Sequence, residues 1–141
     1  VFASALERKK EKPDVNGALQ KAVFTDYYLT STNALTKAGD LINIDATGNR
    51  CAPMFFGPKH TVVVCGVNKI ADNQQKAIAR IKEYAVPKNA RRLGLSTPCA
   101  VSGRCEECQS PQRICRVTVS IQYPTRMTDI HVVLVGEELG Y

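Results

Sequence analysis

Apolar and polar positions follow two different periods along this chain, and the changes of period divide it into elements. Thr61-Val62-Val63-Val64-Cys65 is an unbroken, largely β-branched run, which predicts a strand buried on both faces of a parallel sheet. Ala77, Ile78, Ile81, Tyr84 and Ala85 then recur at helical spacing, with Lys76, Arg80 and Lys82 assigned to the solvent side. Asp72, with Gln75 three residues on, reads as the capping box of that helix, and Pro87 as its end. Upstream, Asp14 is a candidate cap for a short helix reaching about Phe24, and the charged, helix-prone segment from Leu6 to Lys12 is stopped by Pro13. Tyr27 to Thr30 predicts a short strand. Ala34 to Thr36 and Leu41 to Ile44 flank Lys37-Ala38-Gly39-Asp40 and predict a hairpin. A polar loop from Asp45 to Arg50 leads into a short helix through Phe55, broken by Gly57-Pro58. Strands from Val117 to Gln122 and from Ile130 to Val135 close the chain. Alternating strands and helices predict an α/β fold with an open sheet of the three-layer kind.

Composition narrows the class. A chain of 141 residues, 44% of them hydrophobic, suits a single domain with an ordinary core. No stretch approaches the roughly 18 apolar residues of a membrane-spanning helix. The opening Val-Phe-Ala-Ser has neither an initiator methionine nor a signal-peptide pattern, which predicts a processed or truncated start of a cytoplasmic protein. The net charge of +6 invites a nucleic-acid reading, but the basic residues are dispersed and no aromatic residues alternate with them as a stacking platform would need. A solvated basic surface, with no specific nucleic-acid partner, is the expectation.

Six cysteines change the picture most. Cys51 and Cys65 sit in apolar runs and read as small core residues. The other four form one loop, Cys99-x5-Cys105-x2-Cys108-x6-Cys115. A Cys-x2-Cys turn can aim two soft thiolates at one centre, and the longer arms can wrap the outer two around it. Gly103 permits close backbone approach there, while Pro98 and Pro111 discourage continued helix. The spacing favours a four-iron, four-sulfur ([4Fe–4S]) cluster, with a zinc ion and metal-free thiols or disulfides as the alternatives. Arg104, Arg113 and Arg116 would favour an anionic tetrathiolate centre, as would ordinary surface solvation.

No catalytic motif competes with that loop. The two histidines, His60 and His131, stand alone in or beside strands, and no phosphate-binding glycine loop or nucleophile elbow is present. The loops at expected strand ends are richer. Asn33, Asp45, Thr47, Gly48, Asn49, Arg50 and Lys69 are the candidate lining of a pocket for an anionic small molecule. Free backbone N–H groups at Thr47-Gly48-Asn49 would face an anion, with Arg50 and Lys69 adding charge. Ordinary turns and caps account for the same residues equally well.

Those loops also carry a resemblance. Leu29-Thr-Ser-Thr-Asn-Ala34, Asn43-Ile-Asp-Ala-Thr-Gly-Asn-Arg50, Phe56-Gly-Pro-Lys59, Gly66-Val-Asn-Lys-Ile70, and Pro98-Cys99 through Ser110-Pro-Gln-Arg-Ile-Cys115 look like the lactate-utilisation (LUD) domain family. The closer match is its stand-alone branch of uncharacterised bacterial and archaeal proteins, whose C-terminus the ending Glu138-Leu-Gly-Tyr141 also resembles. The resemblance implies a fold like the sugar-phosphate isomerase (NagB/RpiA), CoA-transferase and formyltetrahydrofolate cyclo-ligase group. It also implies a missing N-terminal part of the domain. It further implies a role accessory to organic-acid (lactate) oxidation or electron transfer, with an iron–sulfur redox partner. The alternative it leaves is a cyclo-ligase or CoA-transferase-like enzyme with a purely structural zinc at Cys99, Cys105, Cys108 and Cys115.

Overall fold

The structure, a computed structural model, describes residues 14–141; the helix-prone segment from Leu6 to Lys12 lies outside them. Asp14 caps α1 (Val15–Lys21) as expected, its carboxylate accepting from Gly17 N at 2.9 Å, and a single 3₁₀ turn (Ala22–Phe24) follows. β1 (Tyr27–Thr30) leads within three residues into β2 (Ala34–Thr36) and β3 (Leu41–Asp45). β2 and β3 form the predicted hairpin, with Ala34 opposite Ile42. Gly39 turns it at φ 99°, and Asp40 N donates to Thr36 Oγ1 at 2.9 Å. After α2 (Ala52–Phe55) come β4 (His60–Gly66), a 3₁₀ turn (Val67–Lys69) and β5 (Ile70–Ala71). The long helix is α3 (Gln74–Arg80), a π turn (Ile81–Ala85) and α4 (Val86–Arg92) in one run. α5 (Pro98–Ser102), β6 (Val117–Ile121) and β7 (Asp129–Val135) complete the chain. Among the described residues no helix is long and apolar enough to cross a membrane.

The α/β class holds, but the strands divide between two sheets. β1, β4 and β7 form a parallel sheet in the order β1-β4-β7, while the mixed sheet runs β5-β2-β3-β6. Chain reversal at the hairpin and antiparallel pairing with β6 make β3 an inner strand of the mixed sheet, paired on both sides. Ile42 and Ile44 pack on the long helix through Ala77, Ile81, Ala85 and Ala90, one stripe at helical spacing. On the opposite face, Leu41 and Ile121 meet Val63 and Met54. The mixed sheet therefore lies between the helix and the parallel sheet.

Four local expectations are corrected. The cap of α3 is Asn73, not Asp72: Asn73 is extended and accepts from Lys76 N at 2.9 Å, whereas the Asp72 carboxylate pairs with Lys37 at 2.6 Å. Pro87 does not end the helix. It falls in the first turn after the π segment, where the widened helix leaves no bond for its missing N–H to make. Pro98 likewise opens a helical turn instead of blocking one, and Gly103 closes that turn at φ 80°. The β4 run is buried on one face only. Val63 and Cys65 are fully covered, while Val62 and Val64 lie half-buried beside Leu29, which is 73% exposed.

Candidate functional site

The corner between the sheets makes the site. β1 ends and β2 begins across Ser31-Thr32-Asn33, so the chain leaves one sheet and enters the other there. Buried Thr32 fixes the bend, its Oγ1 lying 3.0 Å from Ala34 O and 3.2 Å from Ile42 O. Asn33 locks the corner to β3: its N donates to Asn43 Oδ1 at 3.0 Å, and its Oδ1 accepts from Ile44 N at 2.9 Å. A cavity of about 420 Å³ opens below this corner. Asn33, Asp45, Thr47, Asn49, Arg50 and Lys69 line it, so six of the seven predicted ligand residues are brought together. Gly48 lies instead on a second cavity of about 720 Å³ against α1, which shares Thr47 and Asn49 with the first.

Asp45 is not a free acid. Its Oδ1 accepts from Ala46 N at 2.7 Å and Thr47 N at 3.3 Å, and its Oδ2 accepts from Arg50 N at 3.2 Å. The Arg50 guanidinium stands 3.6 Å from the same oxygen and donates to Ile44 O at 3.0 Å. Burial pushes the Asp45 pKa up, but the Arg50 charge and the three backbone N–H groups together hold it below the ordinary carboxylate value. Cys51 Sγ lies 3.7 Å from Asp45 Oδ2, and burial, then the Asp45 charge, push that thiol up to about 11. It is an inert core thiol. The expected anion cradle at Thr47-Gly48-Asn49 is thus altered. The Thr47 N–H is already committed to Asp45, and α2 is a single four-residue turn with little dipole to offer. Cationic side chains, not helix geometry, must attract an anion here.

Lys69 is the decisive one. The 3₁₀ turn after β4 carries it inward until it is only 6% exposed, with Nζ 3.0 Å from Ser31 Oγ. Among the described residues no carboxylate pairs with it. Burial lowers its pKa; the Cys65 sulfur opposes this, and the Arg80 and Arg50 charges act with burial. Arg80, placed on the solvent side by its spacing, instead turns inward and donates to Asn68 O and Asn33 O, each at 2.9 Å. It clasps the corner to the Lys69 turn.

The far wall was not foreseen. Asn68 holds the C-terminal residues, donating to Gly140 O at 3.0 Å and accepting from Leu139 N at 3.1 Å. Gly66 makes room, since a Cβ there would lie within 2.7 Å of Leu139 N, Asn68 Oδ1 and Glu137 O. Tyr141 is thereby delivered to the pocket, where its hydroxyl accepts from Arg92 Nε at 2.8 Å. Among the described residues, Arg50, Lys69 and Arg92 therefore line the cavity with one side-chain carboxylate, Asp45, with which Arg50 already pairs.

The cysteine loop adjoins this pocket through Ile114, which lines it. Cys99 is buried in α5 with Sγ 3.4 Å from Thr97 Oγ1, while Cys105, Cys108 and Cys115 are half-buried. Arg113 spans the loop, donating to Cys108 O at 2.9 Å and Cys115 Sγ at 3.5 Å. Cys105 Sγ points to Glu107 Oε1 at 3.8 Å, and Glu107 pairs with Lys82 at 2.6 Å. Among the described residues, no three His, Cys, Asp or Glu side chains are grouped as a metal ion requires. The four thiols are neighbours in sequence, but as arranged here they do not fit a single centre.

The model of the LUD domain family matches residues 1–135. This chain belongs to the LUD domain family. No curated protein and no solved structure matches it. In this LUD domain, Cys51 and Cys65 are core residues as read from their apolar runs, 2% and 0% exposed. Arg80, Arg92 and Tyr141 are the site residues the sequence reading missed. Arg80 sits on a helix face whose inward turn only the π segment and the Asn33 carbonyl reveal, and Tyr141 is far from every other lining segment in sequence.

Proposed function

We propose that this LUD-domain protein binds a small organic anion in the corner pocket and serves organic-acid oxidation of the lactate-utilisation kind. The observation that carries this reading is Lys69: an amine 6% exposed, facing the cavity with Arg50 and Arg92, and with a serine hydroxyl as its hydrogen-bond partner. Keeping such a group buried is costly unless an anion repays its desolvation. Calorimetry with L-lactate, pyruvate and inorganic phosphate tests it. A hydrogen bond to a charged group contributes about 1.5–3 kcal/mol, so Lys69→Met is expected to weaken the bound anion about ten- to hundredfold. Unchanged affinity in Lys69→Met overturns the reading.

A metal centre at Cys99, Cys105, Cys108 and Cys115, a [4Fe–4S] cluster or zinc, is a separate proposal. The soft donor set and the half-exposure of Cys105, Cys108 and Cys115 support it. Binding would require the loop to close, drawing Cys99 from its helix and Cys115 from Arg113. Metal analysis of anaerobically purified protein decides between iron, zinc and neither.

A cyclo-ligase or CoA-transferase-like activity is the second reading. It is favoured by the cavity against α1 that shares Thr47 and Asn49 with the anion pocket, room for an elongated anion such as a nucleotide or CoA ester. Stronger thermal stabilisation by those ligands than by lactate, lost on Arg50 substitution, would select it.

A further inference from the structure

We infer that Lys69 is a carbonyl-reactive amine and that the pocket takes 2-oxo acids, which it holds as an imine on Lys69 Nζ. The inference rests on the anion-binding reading of this pocket and names its ligand class.

The division of labour among the lining cations carries it. Arg50 and Arg92 are guanidiniums, permanently charged and shaped for a carboxylate, and Arg92, unlike Arg50 with Asp45, has no carboxylate partner among the described residues. Among the described residues, Lys69 is the only primary amine lining the cavity. It lies 6% exposed, beside Ser31 Oγ at 3.0 Å and under the tail, where a Cβ on Gly140 would stand 3.7 Å from Nζ. No carboxylate among the described residues pairs with it, and burial, with Arg80 and Arg50, opposes its proton, against the contrary pull of the Cys65 sulfur. A desolvated amine among other cations is the condition under which a lysine becomes a nucleophile. A ligand suited to this arrangement carries a carboxylate for the guanidiniums and an adjacent carbonyl for the amine.

The step balances without an oxidant or a reductant. The neutral amine adds to the carbonyl carbon, and a C–N bond forms as the C=O π bond opens. The oxygen gains one proton and the nitrogen loses one, a transfer the Ser31 hydroxyl is placed to relay. The carbinolamine then loses its hydroxyl and a second nitrogen proton as water, leaving C=N.

Borohydride trapping tests this on the full chain. Incubation with pyruvate followed by sodium borohydride, which delivers hydride to the imine carbon, should leave an adduct on Lys69 whose mass is that of pyruvic acid less one oxygen. At neutral pH the extent at Lys69 should exceed that at exposed Lys76 and Lys88 about tenfold or more, as expected of an amine that holds its proton less tightly. Lys69→Arg should keep the anion site and lose the adduct at this position. An adduct at Lys69 no greater than at Lys76 and Lys88 overturns the inference. Parallel calorimetry with L-lactate, which has a hydroxyl in place of the carbonyl, separates the two failures. Lactate binding without trapping sinks the imine and leaves the anion pocket, whereas neither binding nor trapping sinks both.

Discussion

The corner pocket and the cysteine loop are neighbours in this fold, joined through Ile114 and Cys115, yet they are assembled in opposite ways. The pocket draws its side chains from segments as far apart as Ser31 and Tyr141, and most of them are tied in place before any ligand arrives. Asp45 knots its own loop, Asn33 ties the corner to β3, Arg80 clasps two turns, and Lys69 is buried with no carboxylate partner among the described residues. The loop has its four thiols within one short stretch, but three of the sulfurs face different groups: Cys99 meets Thr97, Cys105 meets Glu107 and Cys115 meets the guanidinium of Arg113. Adjacency in sequence is thus no measure of preorganisation. Hydrogen bonds from elements already fixed by the core decide that.

The contrast can be broken at its strongest point first. Asp45→Ala removes acceptors from three backbone N–H groups and leaves Arg50 unpaired, and it should lower stability by about 3 kcal/mol, read from urea midpoints. If the loss is under about 0.5 kcal/mol, as for an ordinary surface position, the pocket is no more tied than the cysteine loop. The same carboxylate sets a pH dependence. Because its folded pKa lies below the unfolded value, its contribution is complete above about pH 4–5 and is lost as pH falls through the folded pKa. An acid series of urea midpoints should show that loss, and Asp45→Asn should flatten it.

Gly66→Ala drives a methyl group into the tail at Leu139 and Glu137 and should cost about 2 kcal/mol, as overpacking does. Hydrogen exchange should then rise at Leu139, where Asn68 loses its hold. Faster exchange confined to β4 would instead place the strain in the sheet.

Lys69→Met has the opposite sign. Relieved of a buried charge, the ligand-free protein should gain about 1 kcal/mol while losing anion binding, the trade expected of a functional residue. A destabilised Lys69→Met would make Lys69 a structural cation.

The smallest effects belong to the cysteine loop in metal-free protein. Cys105→Ser, Cys108→Ser and Cys115→Ser should each shift stability by no more than about 0.5 kcal/mol, with buried Cys99→Ser the larger change. Equal and large losses at all four in protein as isolated would mean that a metal holds them as one unit.

The division between what could be read early and what could not follows the range of the forces involved. Strand β4, the Gly39 hairpin, the Asp14 cap and the stripe Ala77, Ile81, Ala85 were legible because each is a contest among residues within one or two turns of one another. The chemistry of the pocket loops was legible too, for Asn33, Asp45, Arg50 and Lys69 all reach one cavity. Local competition misled where two good candidates stood side by side. Asp72 and Asn73 could each cap α3, and Lys37, brought up by the hairpin, took the first. Pro87 looked terminal because a π turn is invisible to a pattern of period 3.6.

By itself, the sequence determined the α/β class, the family, the core roles of Cys51 and Cys65, and the residue types that gather at the pocket. Only the tertiary structure decided that the strands part into two sheets, that Asp45 is a knot and not an acid, and that Lys69 loses its water. Secondary structure and pattern are set by neighbours a few residues away. Burial and charge pairing depend on which distant segment arrives, and here those segments were β6, the inward-turned Arg80 and the tail held by Asn68.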